Sequence, residues 1–456
     1  MVSTSLTRPV HGLLTLSALD QRQTRQVTGL AMIKQAFKRL WNDKRGNALL
    51  IAGAAMPLMI GSAGLASDTI QWTLWKRQLQ RAADSAAIAG VYATVQSQGV
   101  NSAVAKDLQT NNKTGIALNS GYPQIAYPPA TSAYTNPVRV TLAIQKTLSF
   151  SAMFMTAPPV IKATATAATI ETGNYCVVSL ENTDETGITA TGNGNITLGC
   201  GMITNSISLD AAIATGSATV VASPVAAVGG IGGDQWSGST ELLPFTIAQE
   251  DPFKDVYPPT PTGTCSALTH NDSSARHIAN PTGTLCVSDI DFSKGTITMD
   301  PGTYVIDGGD LDVGSQANVS CTGCTFVLTS RTAATDPSSI GQVTMNGGPD
   351  LNLTAPTASG NPFKDILIYQ DRRAPAMQGA QVISNKINGS ATSTLSGAIY
   401  FPSQALDLNG TAKLTITCGQ FVARQVTFSG NGGIENSCPG GYPGGGVKGR
   451  HVRLVA

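Results

Sequence analysis

The segment Leu406–Thr417 reads LDLNGTAKLTIT, two short runs of alternating apolar and polar residues joined by an Asn-Gly pair. Alternation with a period of two is typical of a β-strand with one buried face, and Asn and Gly accept the backbone conformations of tight turns. Similar pieces recur at Thr191–Leu198, Gly216–Ala222, Asp310–Ser320, Gln342–Thr354, Lys386–Leu395 and Val426–Glu435. This repetition of short strands and turns predicts an all-β architecture.

Apolar runs between these pieces predict further strands. They are Thr303–Ile306, Phe326–Leu328, Ile366–Tyr369, Ala398–Phe401 and Phe421–Val422. Irregular repetition of this kind favours a β-solenoid, a β-helix-like fold in which Asn and Gly occupy the corners between coils. A β-sandwich is the alternative, because the repeat has no constant period. We expect the repetitive β domain at residues 172–440, with a long irregular loop at 223–263 and a Gly-rich C-terminal tail at 441–456.

The charge of the chain is unevenly distributed. Its 456 residues carry a net charge of +1, and 12% of them are charged. Residues 1–81 contain eleven basic and three acidic residues, a net charge of +8, and the remainder carries −7. Such asymmetry suggests a membrane or targeting function at the basic end. The ordinary apolar content and the balanced total argue against a disordered chain, a polytopic membrane protein and a dedicated nucleic-acid binder.

An uncharged run follows the basic N-terminus. Residues 46–67 read GNALLIAGAAMPLMIGSAGLAS, 22 residues without a charge, and a helix needs roughly 20 to cross a bilayer. We therefore expect a single transmembrane helix at 46–67, with residues 1–45 cytoplasmic and the rest exported. A buried helix of a soluble domain and the apolar core of a signal peptide are the alternatives. Met32 opens a compact basic lead-in, and we expect it to be the true start.

The chain is expected to continue as helix beyond this run. Nothing between Thr69 and Ala89 breaks a helix, and Ala, Leu and Gln favour one. Alternating residues then predict strands at 138–145 and at Val160–Ile170. Residues 68–171 should thus form an extracytoplasmic helix followed by a small α+β region.

A family resemblance lies in the same stretch. Leu79–Gly90 reads LQRAADSAAIAG, at a fixed distance behind the uncharged run. The pattern resembles the N-terminal domain of the TadE/TadG-like Flp pilus-assembly proteins. The residues that match the family pattern are Arg45, Gly46, Pro57, Gly61, Gly64, Leu65, Asp68, Leu79, Gln80, Ala82, Ala83, Asp84, Ala86 and Ala87. The small residues of this run suit either packing within the chain's own domain or contact with another helix.

The resemblance implies a bacterial inner-membrane protein that works with other pilus-assembly or envelope proteins. Pilins and pseudopilins of this system are cleaved after a Gly and carry Glu at the fifth mature position. Counted from Gly46, that position is Ile51. The absence of the glutamate fits the TadG-like branch, which is membrane-anchored and not processed.

All eight cysteines lie on the predicted exported side of the membrane. An even number of cysteines there fits disulfides in an oxidising compartment. We expect pairing between neighbours in sequence: Cys176–Cys200, Cys265–Cys286, Cys321–Cys324 and Cys418–Cys438. Cys321-Thr-Gly-Cys324 could instead be a redox motif, but it lies between strand-like segments without a helix.

No common catalytic or metal motif occurs in the sequence. The four histidines are not spaced as zinc ligands, and there is no nucleophile elbow or phosphate-binding loop. A single Gly-rich calcium-type repeat at 229–234 is expected to be a chance match, because calcium rolls need stacked copies. The histidines are His11, His270, His277 and His451.

Clustered aspartates give the one suggestion of chemistry. Paired carboxylates could serve a polysaccharide-cleaving β-helix as acid and base or as calcium ligands. Aspartate is also an ordinary turn residue, and alternate positions of a strand face the same side, here toward solvent. We favour the second interpretation and expect no catalytic, cofactor-binding or metal-binding residues. The aspartates are Asp289, Asp291, Asp307, Asp310 and Asp312.

Taken with these observations, the resemblance implies a membrane-anchored, non-catalytic component of Flp/Tad pilus assembly or tight adherence, which presents a β-rich exported domain to protein or envelope partners. The expected partners include no nucleic acid and no small-molecule substrate, and no cofactor is expected. A surface adhesin-like binding protein and a cell-envelope polysaccharide-active enzyme are the alternatives.

Overall fold

A computed structural model describes residues 34–39, 41, 47–111, 117–388, 393–410, 413–442 and 446–455. Met32, Arg45, Gly46 and His11 lie outside the described residues, as does most of the predicted cytoplasmic segment. The chain divides into two compact units. The first comprises Met1–Ala82, Thr114–Pro123 and Thr141–Ala163, and the second comprises Ala83–Lys113, Gln124–Val140 and Thr164–Ala456.

One long helix dominates the N-terminal part. Helix α1 covers Asn47–Val95 with Pro57 inside it, and helix α2 covers Val100–Asn111. The predicted continuous helix is therefore confirmed, and it extends six residues past Ala89. It ends where Ser97 adopts a positive φ of 55° and the Gln98 N–H donates to the Ala93 carbonyl, the pattern of a Schellman cap.

The predicted membrane span at 46–67 is not recovered as such. Among the described residues, no helix combines the length and the mean hydropathy needed to cross a membrane. The segment is helical and uncharged, but its glycines, its serines and Pro57 lower its mean hydropathy.

The rest of the described chain is rich in strands. Two 3₁₀ turns interrupt them, at Ser151–Met153 and Pro337–Ser339. The first strands are β1 Gln124–Ala126, β2 Thr135–Gln145, β3 Val160–Ser179, β4 Ile188–Ala190, β5 Ile196–Leu198, β6 Gly201–Thr204, β7 Ala212–Ala214, β8 Val220–Val221, β9 Val225–Ala227, β10 Ile231–Gly233 and β11 Leu242–Leu243.

Eighteen further strands follow. They are β12 Leu268–His270, β13 Ala275–Ile278, β14 Thr284–Val287, β15 Ile290–Met299, β16 Gly302–Asp307, β17 Leu311–Thr322, β18 Cys324–Thr329, β19 Val343–Met345, β20 Asp350–Thr354, β21 Ile366–Gln370, β22 Met377–Gln378, β23 Gln381–Val382, β24 Ser384–Asn388, β25 Thr394–Asn409, β26 Leu414–Thr417, β27 Gly419–Ser429, β28 Ile434–Ser437 and β29 Val447–Leu454.

Most strand pairs are parallel. Strand β16 pairs with β18 with Ile306 opposite Leu328, and β25 pairs with β27 with Ile399 opposite Phe421, so partners lie 22 residues apart. Antiparallel pairing occurs between β29 and β3 and between β22 and β23. A large strand-rich domain is thus confirmed, and its parallel sheet does not fit the antiparallel sheets of a β-sandwich.

The row of parallel strands does not follow the order of the strands along the chain throughout. From β3 the chain steps through β6 and β9 to β11. The row of pairs β14–β16–β18–β21–β25–β27 then returns to β3. Strand β27 therefore joins the end of the chain to the start of the domain.

The predicted irregular loop at 223–263 is partly wrong. Strands β9, β10 and β11 lie within it, and the connection between Leu243 and Leu268 is the part without strands. Small residues allow this pairing: a Cβ atom at Gly230 would lie 2.9 Å from the Leu209 carbonyl carbon of the neighbouring turn. Glycine there indicates close packing of two backbone segments rather than a free loop.

Candidate assembly surface

Asp68 fastens the long helix to a distant turn in the first unit. Its side chain is 2% exposed although it lies on a helix whose neighbouring side chains are exposed. Its Oδ2 accepts the Phe150 N–H at 3.0 Å, the Ser151 hydroxyl at 2.7 Å and the Ser151 N–H. One carboxylate therefore satisfies three donors of a segment more than 80 residues away.

Gly64 lies one helical turn before Asp68 and makes room for the same segment. A Cβ atom at this position would lie 2.5 Å from Phe150 Cγ and 2.7 Å from Cε1. Only glycine allows the helix and the phenylalanine ring to approach this closely. Gly64 and Asp68 thus act together to seat the turn.

The turn itself, Leu148–Met155, is named the apolar turn. Its 3₁₀ helix has no buried side chain, and Met153 and Phe154 are 76% and 77% exposed. Together with α1 it borders a groove of about 480 Å³, lined by Gly53, Met56, Pro57, Ile60, Gly61, Phe150, Met153 and Phe154. The helix residues 47–67, named the apolar helix segment, also expose Leu58, Met59 and Ile60.

Aromatic and basic side chains adjoin this apolar surface at its C-terminal side. The Lys76 ammonium lies 5.6 Å from the centre of the Trp72 ring, and the Lys146 ammonium lies 5.4 Å from the centre of the Trp75 ring. Both distances are within the range of a cation–π contact.

The Ala-rich run behaves differently in the second unit. Ala83, Ala86 and Ala87 are fully buried, and the Ser85 hydroxyl donates to Asp107 Oδ1 on α2 at 2.9 Å. A Cβ atom at Gly90 would lie 2.8 Å from Val138 Cγ1 and 3.5 Å from Val104 Cγ2. The small side chains thus let α1 pack closely within the unit, in agreement with the first of the two predicted roles.

The residues that seat the turn and the buried run lie in one segment. A family model described as "Putative Flp pilus-assembly TadE/G-like" matches residues 46–95. These residues form a TadE/G-like domain. The predicted resemblance is confirmed for this segment, and the domain indicates a role related to pilus assembly. No curated protein and no solved structure matches the chain.

The family-motif residues fall into three environments in the TadE/G-like domain. Gly64 and Asp68 are buried against the apolar turn, whereas Pro57 is exposed. Leu79 is buried, with Ala83, Ala86 and Ala87 following it at helical spacing, while Gln80, Ala82 and Asp84 are partly buried. The apolar turn was not predicted. A signal for it is that residues 150–155 contain four large apolar side chains, those of Phe150, Met153, Phe154 and Met155.

The aspartates of the strand domain serve its backbone. Asp289 Oδ1 accepts the Asp310 N–H at 2.9 Å, and Asp310 Oδ1 accepts the Gln342 N–H at 2.7 Å, so each carboxylate supports the next turn. Asp291 and Asp312 are register partners in β15 and β17. Burial, followed by the nearby Asp310 carboxylate, raises the pKa of Asp312. Asp289 and Asp310 thus support turns, whereas Asp291 and Asp312 lie within strands and are partly buried.

Asp307 lies near two sulfur atoms but pairs with a cation. Its carboxylate forms an ion pair with Arg331, which also donates to Cys265 Sγ at 3.1 Å. One ligand atom each from Asp307, Cys265 and Cys286 lie within 4.8 Å of one another. Both sulfurs belong to a disulfide, and thiolate is the form that binds metal. This group therefore fits a structural contact better than a metal site.

The four disulfides form as predicted, between Cys176 and Cys200, Cys265 and Cys286, Cys321 and Cys324, and Cys418 and Cys438. Cys321 and Cys324 are both buried in the strand domain. A redox motif needs an accessible sulfur, so their burial disfavours that interpretation.

The histidines of the described chain lie apart from one another. His451 is buried and contacts the Tyr175 hydroxyl at 3.1 Å. His270 lies near Asp272, and His277 near Asp300. The calcium-type sequence at 229–234 contains strand β10, which pairs with β7.

Proposed function

We propose that the protein is a membrane-anchored, non-catalytic component of the Flp/Tad pilus-assembly or tight-adherence machinery. In this proposal the N-terminus is cytoplasmic, the apolar helix segment inserts in the inner membrane, and the strand domain lies in the oxidising space beyond it. The observation that carries the proposal is the TadE/G-like helix, whose N-terminal half leaves large apolar side chains exposed.

The distribution of those side chains favours lipid as their surroundings. Leu58, Met59 and Ile60 are consecutive and all exposed, and so are Ile51 and Leu65. Consecutive positions point to different sides of a helix, so the segment is apolar around its circumference rather than along one stripe. Glycine and proline are tolerated in membrane helices, which accommodates the moderate hydropathy of the segment.

The disulfides support an exported location for the strand domain. All eight cysteines are paired, and such bonds persist in oxidising compartments. We further propose that the parallel pairs, with partners such as Ile399 and Phe421 22 residues apart, close into the coils of a β-solenoid. A solenoid would offer an extended surface to a protein or envelope partner.

The test is a clean gene deletion in the bacterium that encodes the chain, complemented with the full protein. Loss of both pili and surface adherence is expected, and the complementing protein should resist alkaline extraction from membranes and co-purify with pilus-assembly proteins. Normal pili with lost adherence would favour an adhesin instead. Normal pili and normal adherence would contradict both functions.

The non-catalytic part of the proposal has its own test. Asp310→Asn and Asp312→Asn, combined in one complementing protein, should restore pili and adherence as well as the unchanged chain does. Loss of complementation by a stably folded double variant would instead point to an enzyme acting on envelope polysaccharide.

A further inference from the structure

The apolar turn exposes an unusual density of large apolar side chains. Phe150, Met153, Phe154 and Met155 are between 36% and 77% exposed within six residues. Soluble surfaces seldom collect so many in one place, and such clusters mark interaction sites. The turn borders the same groove as the apolar helix segment, so the two form one continuous apolar surface.

The backbone N–H groups of residues 150–155 in the turn all donate hydrogen bonds. The Phe150 and Ser151 N–H groups donate to Asp68, and the Ala152 N–H donates to the Leu148 carbonyl. The Met153 N–H donates to the Phe150 carbonyl, and those of Phe154 and Met155 donate to the Ser151 carbonyl. Six consecutive donors thus have partners within the chain.

These bonds meet a requirement of a lipid environment. An exposed turn in water needs no internal partners, because water supplies them. In the apolar part of a bilayer every backbone donor must be satisfied within the protein, and irregular backbone is otherwise excluded. The buried Asp68 carboxylate supplies the two donors that the turn cannot satisfy by itself.

Neighbouring residues mark a boundary between apolar and polar surroundings. Trp72 and Trp75, one to two turns beyond Asp68, contact Lys76 and Lys146. Tryptophan is enriched at membrane–water interfaces, and lysine there is attracted by anionic headgroups. Charged residues are absent from 47–67, so the polarity changes at the level of Asp68.

We propose that the apolar turn Leu148–Met155 inserts among the phospholipid acyl chains of the outer leaflet of the inner membrane, beside the apolar helix segment. Asp68 and Gly64 hold it there, and the Trp–Lys pairs lie at the headgroup level. This inference rests on the proposed membrane anchor. It adds a second membrane contact, which would fix the depth and rotation of the helix.

The test uses the full chain in vesicles of phosphatidylcholine and phosphatidylglycerol. Because all eight native cysteines are in disulfides, one introduced cysteine can carry an environment-sensitive fluorophore. Labels are placed at Phe154→Cys in the turn, Ile60→Cys in the helix and Leu209→Cys on the strand domain, which is also highly exposed. The quencher is a nitroxide on the lipid acyl chain.

The expected result is a loss of emission for the labels at 154 and 60, because both positions would lie among the acyl chains, and no loss at 209. Asp68→Ala should abolish quenching at 154 and retain it at 60, whereas Asp68→Asn, which keeps an acceptor oxygen, should preserve part of it.

Three results would overturn the inference, and they separate it from the anchor on which it rests. Quenching at 60 without quenching at 154 refutes the inserted turn and leaves the anchor intact. Absence of quenching at both positions refutes the anchor as well. Efficient disulfide cross-linking of unlabelled Phe154→Cys between two chains, with no quenching at 154, would assign the surface to a second copy.

Discussion

Replacement of Gly90 by leucine should loosen the packing of the TadE/G-like helix in the second unit. A Cβ atom there already meets Val138 Cγ1 at 2.8 Å, and Val104 Cγ2 lies at 3.5 Å. Both valines are fully buried, so they have little room to move. Overpacking a core costs about 1–3 kcal/mol, while leucine recovers about 0.8 kcal/mol of helix propensity over glycine.

The overpacking cost should exceed the gain in helix propensity, so Gly90→Leu is expected to destabilise the second unit by up to about 2 kcal/mol. In a unit of this size the midpoint of thermal unfolding should fall by up to about 3 °C. The midpoint can be measured by far-ultraviolet circular dichroism of the purified protein in detergent. The helical signal reports on α1 and α2, which are the helices of ten or more residues in the described chain.

Gly61→Leu is the matched control, because nothing lies within 4 Å of a Cβ atom at that position. It makes the same chemical change in the same helix and should not lower the midpoint. If Gly90→Leu unfolds like the unchanged protein but fails to support pili, the Ala-rich run is an assembly surface and the packing argument is refuted.

Three further predictions concern the strand domain. Replacing both cysteines of Cys176–Cys200, which closes a loop of 24 residues, with serine should lower the free energy of unfolding in urea by about 3 kcal/mol. The same replacement at Cys321–Cys324, which closes 3 residues, should lower it by about 1.5 kcal/mol. Equal losses would contradict the loop-entropy account. Burial lowers the pKa of His451 below 6.5, so the unfolded chain binds the proton more readily, and stability should fall as the pH decreases below about 6.5. His451→Phe should flatten the pH dependence of the melting midpoint. An unchanged slope would reject this role of His451. Asp312→Asn should raise stability at neutral pH by about 0.5 kcal/mol, since it removes a partly buried charge that lies near the Asp310 carboxylate. A loss of stability would show that the Asp312 carboxylate is needed.

The disulfide pairing could be predicted because of how the strands repeat. In several strand pairs of this domain the parallel partners lie 22 residues apart, as with Ile306 and Leu328. Three of the four disulfides join cysteines 20 to 24 residues apart, which is the same spacing. Neighbours in sequence are therefore neighbours across adjacent strands. Pairing of nearest cysteines follows from that register even when the sequence repeat is irregular.

The apolar turn could not be predicted, because its partner lies far away in the chain. The bonds from Phe150 and Ser151 to Asp68 span more than 80 residues. Periodicity reports which face of an element is buried, but it carries no information on which distant element covers that face. The family pattern includes Asp68, but only the fold shows that its carboxylate accepts the N–H groups of Phe150 and Ser151.

The order of the strands was also beyond the sequence. Local alternation identified β25 and β27, but their place in the row depends on the return of the chain from β11 to β12. That connection consists of residues 244–267, a polar and Pro-containing stretch with no strand. Its composition predicts a loop and says nothing of where the loop leads.

The central place of β27 leads to a last prediction. In a row of parallel strands, stability is mainly a sum of contacts between neighbours, so terminal strands open first and central ones last. Although β27 is near the end of the sequence, it pairs with β25 on one side and with β3 on the other. Damage to β27 should therefore weaken both parts of the row.

Two buried valines allow a matched comparison. Val422 of β27 and Val287 of β14, at the start of the row, are both at most 1% exposed. Truncation of either to alanine should cost about 1–2 kcal/mol. Hydrogen exchange should then quicken on both sides of β27 in Val422→Ala, at 177–179 and 398–401, whereas in Val287→Ala it should quicken at 303–306 and leave 177–179 protected. If exchange in Val422→Ala quickened at 398–401 alone, the stability of β3 would not depend on β27. The inference that the β27–β3 pair links the two parts of the row would then be wrong.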